Sequence, residues 1–283
     1  RENLPESIYG YLYKKINFKR GETDLLRLES DSRFVKKGFY DFKLDDVSFK
    51  IFLDPRNGGV DYEIFANKNF EPGVLAIFKK ELNKEDIFLD VGANIGQHSI
   101  YASRFCKRVY AFEPIKRLYK QFADSVFEND ILNIQILNYA LGNKKEILEI
   151  YSNEVNMGAS SIFVNENRTG EQTVKVLNFD QVYNSLGLDK VDFVKIDVEG
   201  YELNVLLGMK DMISKDKPKI LVEYSPCFYN KVDGGIGRKI YELLCENNYQ
   251  IFDVDNDGSR FVEVKDFSQI ENMDQTNLFC KHL

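Results

Sequence analysis

From residue 87 onward, short apolar runs alternate with stretches of helical periodicity, and this rhythm constrains the fold more than any other feature of the chain. Ile87–Val91, Arg108–Phe112, Ile134–Leu137, Val191–Ile196, Lys219–Val222, Tyr249–Val254 and Asn277–Lys281 read as strands. Gln97–Phe105, Ile115–Phe127, a segment ending near Met209, and Ile236–Cys245 read as helices. Strands separated by helical crossovers run parallel and are covered on both faces. The expectation is an α/β, Rossmann-like doubly wound fold: a mostly parallel seven-stranded sheet with a terminal antiparallel hairpin. Glu146–Tyr151 and Thr173–Leu177 are expected to pair beside it, flanking an irregular loop at 152–172 of the length that often carries function.

The first 70 residues follow another pattern and predict a small α+β extension to the domain at 71–283. Ile8–Arg20 places Ile8, Leu12 and Ile16 on one helical face. Phe39–Leu53 alternates apolar and polar residues, which predicts a hairpin turning near Asp45-Asp46. Arg56-Asn57-Gly58-Gly59 reads as a turn, and Pro72–Leu82 as a helix with its proline in the first turn.

Acidic residues outnumber basic ones, 45 to 38, giving a net charge of −7. A domain built on phosphate contacts is usually basic, so nucleic acid is not the expected partner. No apolar run is long enough to span a bilayer. The four cysteines are dispersed, which argues against a disulfide framework or zinc cluster and predicts reduced thiols in a cytoplasm. With only His98 and His282, a histidine-rich metal site has little material. No feature specifies an oligomeric state.

Three motifs carry chemistry. Asp90-Val91-Gly92-Ala93-Asn94-Ile95-Gly96 joins a strand to a helix. Gly92 suits a sharp turn, and Gly96 a close approach by a ligand or another backbone. The dinucleotide fingerprint has a middle glycine that clears room for a pyrophosphate, and it is absent here. Glu113 follows the next strand, 23 positions after Asp90. An acid there is placed to hold two ribose hydroxyls. Asp197 ends the strand of Lys195-Ile196-Asp197-Val198-Glu199-Gly200-Tyr201-Glu202. In an open α/β sheet Asp90, Glu113 and Asp197 would share one rim, an arrangement that calls for a cationic or hydroxyl-rich ligand.

Taken in order, Phe88 to Gly96, Phe112-Glu113-Pro114, Asn138-Tyr139-Ala140-Leu141-Gly142 and Lys195 to Glu202 resemble the FkbM family of S-adenosylmethionine-dependent methyltransferases. Phe70-Glu71-Pro72 is similar to an acidic-proline element of that family, and Gly158-Ala159-Ser160-Ser161 to its small-residue segment. Leu177-Asn178-Phe179-Asp180 departs from the family's more usual threonine-leucine-aspartate. The resemblance implies a class I methyltransferase fold and methyl transfer from S-adenosylmethionine, by in-line displacement, to a hydroxyl oxygen of a sugar or natural product. It implies a small-molecule or glycan acceptor. Transfer to a peptide or amide nitrogen is the alternative, and a NAD-dependent oxidoreductase a more distant one.

By the same resemblance the cofactor site comprises Glu71, Asp90, Gly92, Ala93, Asn94, Gly96, Glu113, Pro114, Asn138, Ala140 and Asp197. Asp90 to Gly96 would line its methionine end, Glu113 the ribose, and Asn138 and Ala140 the adenine. Asp197, Glu199 and Glu223 are the candidate acids for orienting or deprotonating the acceptor. Asp253-x-Asp255-x-Asp257-Gly258 opens like a calcium loop, but Val264 stands where the bidentate glutamate belongs, and a hairpin turn is expected instead.

Overall fold

The computed structural model describes residues 36–44, 46–151, 171–229, 233–255 and 257–283. The expected helix at 8–20, the segment Gly158–Ser161 and most of the 152–172 loop lie outside these residues. Gly38–Leu44 (β1) and Val47–Leu53 (β2) form the expected antiparallel hairpin, with Leu44 opposite Val47. Gly59–Asn67 (α1) is a helix that leads straight out of the expected Arg56–Gly59 turn and that the sequence pattern does not announce. Two consecutive glycines disguise its start; both adopt positive φ, and the helix then buries Tyr62, Ile64 and Phe65. Pro72–Glu81 (α2), Ile87–Val91 (β3), Gln97–Ala102 (α3), Arg108–Phe112 (β4), Lys116–Glu128 (α4) and Ile134–Leu137 (β5) follow.

Ala140–Leu141 (β6), Glu146–Tyr151 (β7) and Glu171–Leu177 (β8) make a separate small sheet, β7 pairing antiparallel with β8. The main sheet resumes with Phe193–Ile196 (β9) and is covered by Glu202–Gly208 (α5) and Lys210–Asp216 (α6). It ends with Lys219–Tyr224 (β10), Ile236–Glu246 (α7), Tyr249–Val254 (β11), Phe261–Val264 (β12) and Thr276–His282 (β13).

The main sheet has the order β12-β11-β13-β10-β9-β3-β4-β5. β5, β4, β3, β9 and β10 are parallel, whereas β13 runs antiparallel between β10 and β11. The sheet therefore holds eight strands, not the expected seven. The extra one is β12, returned along β11 by the turn at Gly258, whose φ is +75°. The acids of that turn are already engaged: Asp255 accepts from the Ser259 hydroxyl at 2.7 Å, and Asp253 pairs with Arg260 at 2.9 Å. It is a hairpin and not a calcium loop.

Strand alternation sorts the core into two layers. Phe88, Val109, Ala111, Phe193, Leu221 and Phe279 face α2, α3, α4 and the β1–β2 hairpin. Leu89, Val91, Tyr110, Phe112, Val194, Ile196 and Ile220 face α5, α6 and α7. Period two sends Asp90 to the first side with Phe88, toward α3.

α4 also closes the outer edge of β2 with side chains spaced four residues apart. Gln121 donates to the Phe52 carbonyl at 2.8 Å, and Ser125 accepts from the Phe52 N–H at 3.0 Å. Asn129 accepts from the Lys50 N–H and donates to its carbonyl, both at 2.7 Å. An open strand edge is thus capped by one polar helix stripe.

Candidate active site

Asp90 and the loop after it, Glu113, Asp197, Glu199 and Glu223 gather at the carboxyl ends of β3, β4, β9 and β10, where open α/β sheets bind their ligands. Asp90 is fully buried, its Oδ2 accepting from the Ser99 hydroxyl at 2.6 Å. The Gly92 and Ala93 N–H groups both donate to the Phe112 carbonyl at 3.0 Å, folding the loop over the end of β4. Asn94 takes the left-handed conformation (φ +52°), which asparagine tolerates, and its N–H donates to Glu113 Oε2 at 2.8 Å.

What approaches the two glycines is protein. A Cβ on Gly92 (φ +81°) would lie 1.8 Å from the Asp197 carbonyl oxygen, and one on Gly96 (φ +87°) 2.0 Å from the Phe122 ring. Gly92 therefore lets the loop dock on the exit of β9, and Gly96 lets α3 pack on α4.

Glu113 is buried and accepts two backbone N–H groups, from Asn94 and, at 2.8 Å, Ile115. Burial pushes its pKa up to about 8, against the pull of those two donors. Asn138 clamps the following turn, donating to the carbonyls of Glu113 and Pro114 at 2.9 Å each. Ala140 lies in the small sheet, opposite Val176.

Lys195 stands at the centre of the cluster, and sequence reasoning assigned it no role. It is 4% exposed, and its Nζ lies 3.2 Å from Asp197 Oδ2, 3.5 Å from Asp90 Oδ1 and 3.4 Å from the Gly92 carbonyl. Burial alone would lower its pKa; the charges of Asp197, Asp90 and Glu71 more than reverse this and hold the ammonium protonated. The signal was present. A lysine inside an apolar strand, two residues before an aspartate, points to the same side as that aspartate. Only the pairing of β3 with β9 sets it opposite Asp90.

Glu71 enters from the start of α2, with a buried carboxyl and a φ of +50°. Its Oε1 accepts from Asn277 at 3.3 Å, and its Oε2 lies 3.7 Å from His98 Nε2. Burial and the Asp197 charge raise its pKa to about 7, opposed by Lys195 and Asn277. His98 is held neutral: burial and the Lys195 charge push its pKa well below the usual histidine range. Glu223, in β10, accepts from the Gln275 amide. Burial, then the charges of Asp197, Glu199, Glu71 and Glu202, push its pKa well above the carboxylate range. Asp197 and Glu199 are only partly buried, Glu199 in a left-handed turn (φ +54°).

The cluster thus sets Glu71, Asp90, Glu113, Asp197, Glu199 and Glu223 around Lys195. Buried carboxyls in such excess favour a ligand that brings positive charge and hydroxyl donors. Among the described residues no group of acids, histidines and cysteines is arranged to hold a metal ion.

The profile of the methyltransferase FkbM domain matches residues 90–251, more than half of the chain. The chain belongs to the FkbM methyltransferase family. Among curated proteins it is similar to the hexuronic acid methyltransferase AglP of Haloferax volcanii, 29% identical over 147 residues, which are 50% of this chain and 58% of AglP. It is also similar to the AMB antimetabolite synthetase AmbE of Pseudomonas aeruginosa, 27% identical over 60% of this chain and 10% of AmbE. The match thus spans little more than half of one curated relative and a tenth of the other.

Among solved structures, the methyltransferase FkbM from Methylobacillus flagellatus is 18% identical with a TM-score of 0.44, covering 77% of this chain and 52% of that one. Aeropyrum pernix fibrillarin, crystallised with natively bound S-adenosyl-L-methionine, is 13% identical with a TM-score of 0.44 over 86% and 94% of the two chains. In this FkbM chain the family match begins at Asp90 and takes in every acid of the cluster but Glu71. No helix among the described residues is long and apolar enough to cross a membrane.

Proposed function

We propose that this chain transfers a methyl group from S-adenosylmethionine to a hydroxyl oxygen of a sugar or related small acceptor. The observation that carries this reading is the set of acids from four strand ends around one already paired lysine, next to a loop anchored by Glu113. A sulfonium cation suits that charge balance, and ribose hydroxyls suit a buried carboxyl with unused acceptor capacity. Family membership and the relative AglP, a hexuronic acid methyltransferase, support a sugar acceptor.

When bound, the cofactor supplies an electrophilic methyl group. The rest is the work of this chain. Glu113 would hold the ribose, the 90–96 loop the methionine end, and Asn138 and Ala140 the adenine side. Asp197, partly exposed and fixed by Lys195, would orient the acceptor hydroxyl, with Glu199 beside it. Alignment of donor and acceptor supplies much of the rate in such a displacement. The dispersed cysteines, of which Cys106, Cys245 and Cys280 are free thiols, support a reducing, cytoplasmic setting.

Calorimetry tests the reading. Expected is heat from S-adenosylmethionine and none from NAD, with affinity for the former falling about ten- to a hundredfold in Glu113→Gln. Binding of NAD alone, or of neither, would overturn it. Turnover is then read as S-adenosylhomocysteine released in the presence of sugar acceptors. Asp197→Ala with full turnover would remove that residue from the mechanism.

A further inference from the structure

We infer that Glu71 and Glu223 form a buried proton store at the donor end of the site, losing a proton when a cation enters and taking up the acceptor's proton when that cation is neutralised. This rests on the methyl-transfer reading and goes beyond it by assigning the fate of the proton.

The geometry ties the two acids together. Asn277 stands opposite Glu223 in the β10–β13 ladder, and its amide donates to Glu71 Oε1 at 3.3 Å. Both acids are 8% exposed. Glu223 Oε2 is buried without a hydrogen-bond partner, and so is His98 Nε2, which faces Glu71 Oε2 at 3.7 Å. His98 is held neutral by burial and the Lys195 charge, so its Nε2, 3.7 Å from Glu71 Oε2, can serve as an acceptor for a protonated Glu71.

The groups facing Glu71 are His98 from α3, Lys195 and Asp197 from β9 and its exit, Glu223 from β10, and Asn277 from β13. Those facing Glu223 are Asp197, Glu199, Glu71, Glu202, Gln275 and Tyr229. Lys195 is the one ammonium in that set, and Asp197 and Asp90 already share it. With no further cation, burial and mutual repulsion keep Glu223 protonated and bring Glu71 to about 7. A sulfonium placed among them favours the ionised forms.

Methyl transfer then balances within the site. The acceptor O–H bond breaks and an O–CH3 bond forms. The S–CH3 bond breaks with its electron pair going to sulfur, and the hydroxyl proton goes to the carboxylate. One positive and one negative charge become none, so loss of the sulfonium leaves the buried cluster with no additional anion.

The experiment is calorimetry of the full chain with S-adenosylmethionine and with S-adenosylhomocysteine, in phosphate and in Tris at pH 7.5, to count protons. The cationic nucleoside is expected to release up to one proton more than the neutral one. The ratio of their affinities should then rise with pH between 6 and 8, approaching tenfold per pH unit for a full proton. Glu71→Gln and Glu223→Gln, which keep the shape of the neutral acids, should each reduce that difference, and the double variant should abolish it. Equal proton counts for the two nucleosides in the unaltered chain would overturn this inference while leaving the cofactor reading intact. Absence of binding by either nucleoside would overturn both.

Discussion

The Lys195 ammonium lies 3.2 Å from the Asp197 carboxylate, two residues further along the chain, and is itself buried against Asp90 of the neighbouring strand. One cation thus joins the exits of β3 and β9 under the glycine loop. Its loss would leave Asp90, which is fully buried, with only the Ser99 hydroxyl.

Lys195→Met should destabilise the fold by about 3–5 kcal/mol, because an uncompensated buried charge remains. Urea unfolding at pH 7 measures it. Partial recovery on adding Asp90→Asn to Lys195→Met is expected, since the remaining anion is then removed. No recovery would show that lysine packing, and not its charge, matters.

Gly92 and Gly187 both have positive φ but differ in surroundings. A Cβ on Gly92 meets the Asp197 carbonyl at 1.8 Å, whereas one on Gly187 meets nothing within 4 Å. Gly187→Ala should cost only the left-handed strain, about 1–2 kcal/mol. Gly92→Ala should cost at least ~3 kcal/mol, because the β9 exit must move as well. Thermal unfolding of the pair separates backbone strain from steric exclusion.

Stability of the cofactor-free protein should fall as pH rises from about 6.5 to 8. Glu113 and Glu71 keep their protons in the folded state up to about 8 and about 7, whereas the unfolded chain releases them near 4.5. Over that window the unfolded state binds fewer protons, so each such group contributes a fall of up to ~1.4 kcal/mol per pH unit. His98 works the other way, but only below its ordinary value of 6.5, where the unfolded chain gains a proton that the buried ring refuses. Denaturation midpoints at pH 6.5, 7.2 and 8 test the sign, and Glu71→Gln should flatten the slope.

Gln121 joins α4 to the N-terminal hairpin, donating to the Phe52 carbonyl at 2.8 Å and to the buried Asp61 carboxylate at 2.7 Å. Gln121→Ala should cost about 1–3 kcal/mol, since both acceptors are left short of a donor. The amides of β2 should exchange faster while those of β9 do not. Hydrogen exchange read by NMR or mass spectrometry distinguishes this local loosening from global destabilisation.

Much of the architecture was legible because it depends on local periodicity. Strands β3, β4, β5 and β11 fall where the apolar runs place them, and the turn at Asp257-Gly258 is a hairpin as its flanks require. Helix α1 escaped because its two opening glycines carry a turn signal, and its burial depends on packing against the hairpin segment rather than on an amphipathic pattern. The eighth strand escaped as a member of the main sheet because a short hairpin arm does not reveal which edge it will join.

The alternation of strands and helices, the family signature and the acids placed at strand ends were all fixed locally, since each follows from neighbours within a few residues. The tertiary structure alone decided that Lys195 answers Asp90, that Asn277 links Glu71 to Glu223, and that the two loop glycines make room for Asp197 and Phe122. Those relations join residues far apart in the chain through strand order and register. Charge balance and proton affinity in a buried cluster depend on distance and desolvation, and neither exists until the strands have paired.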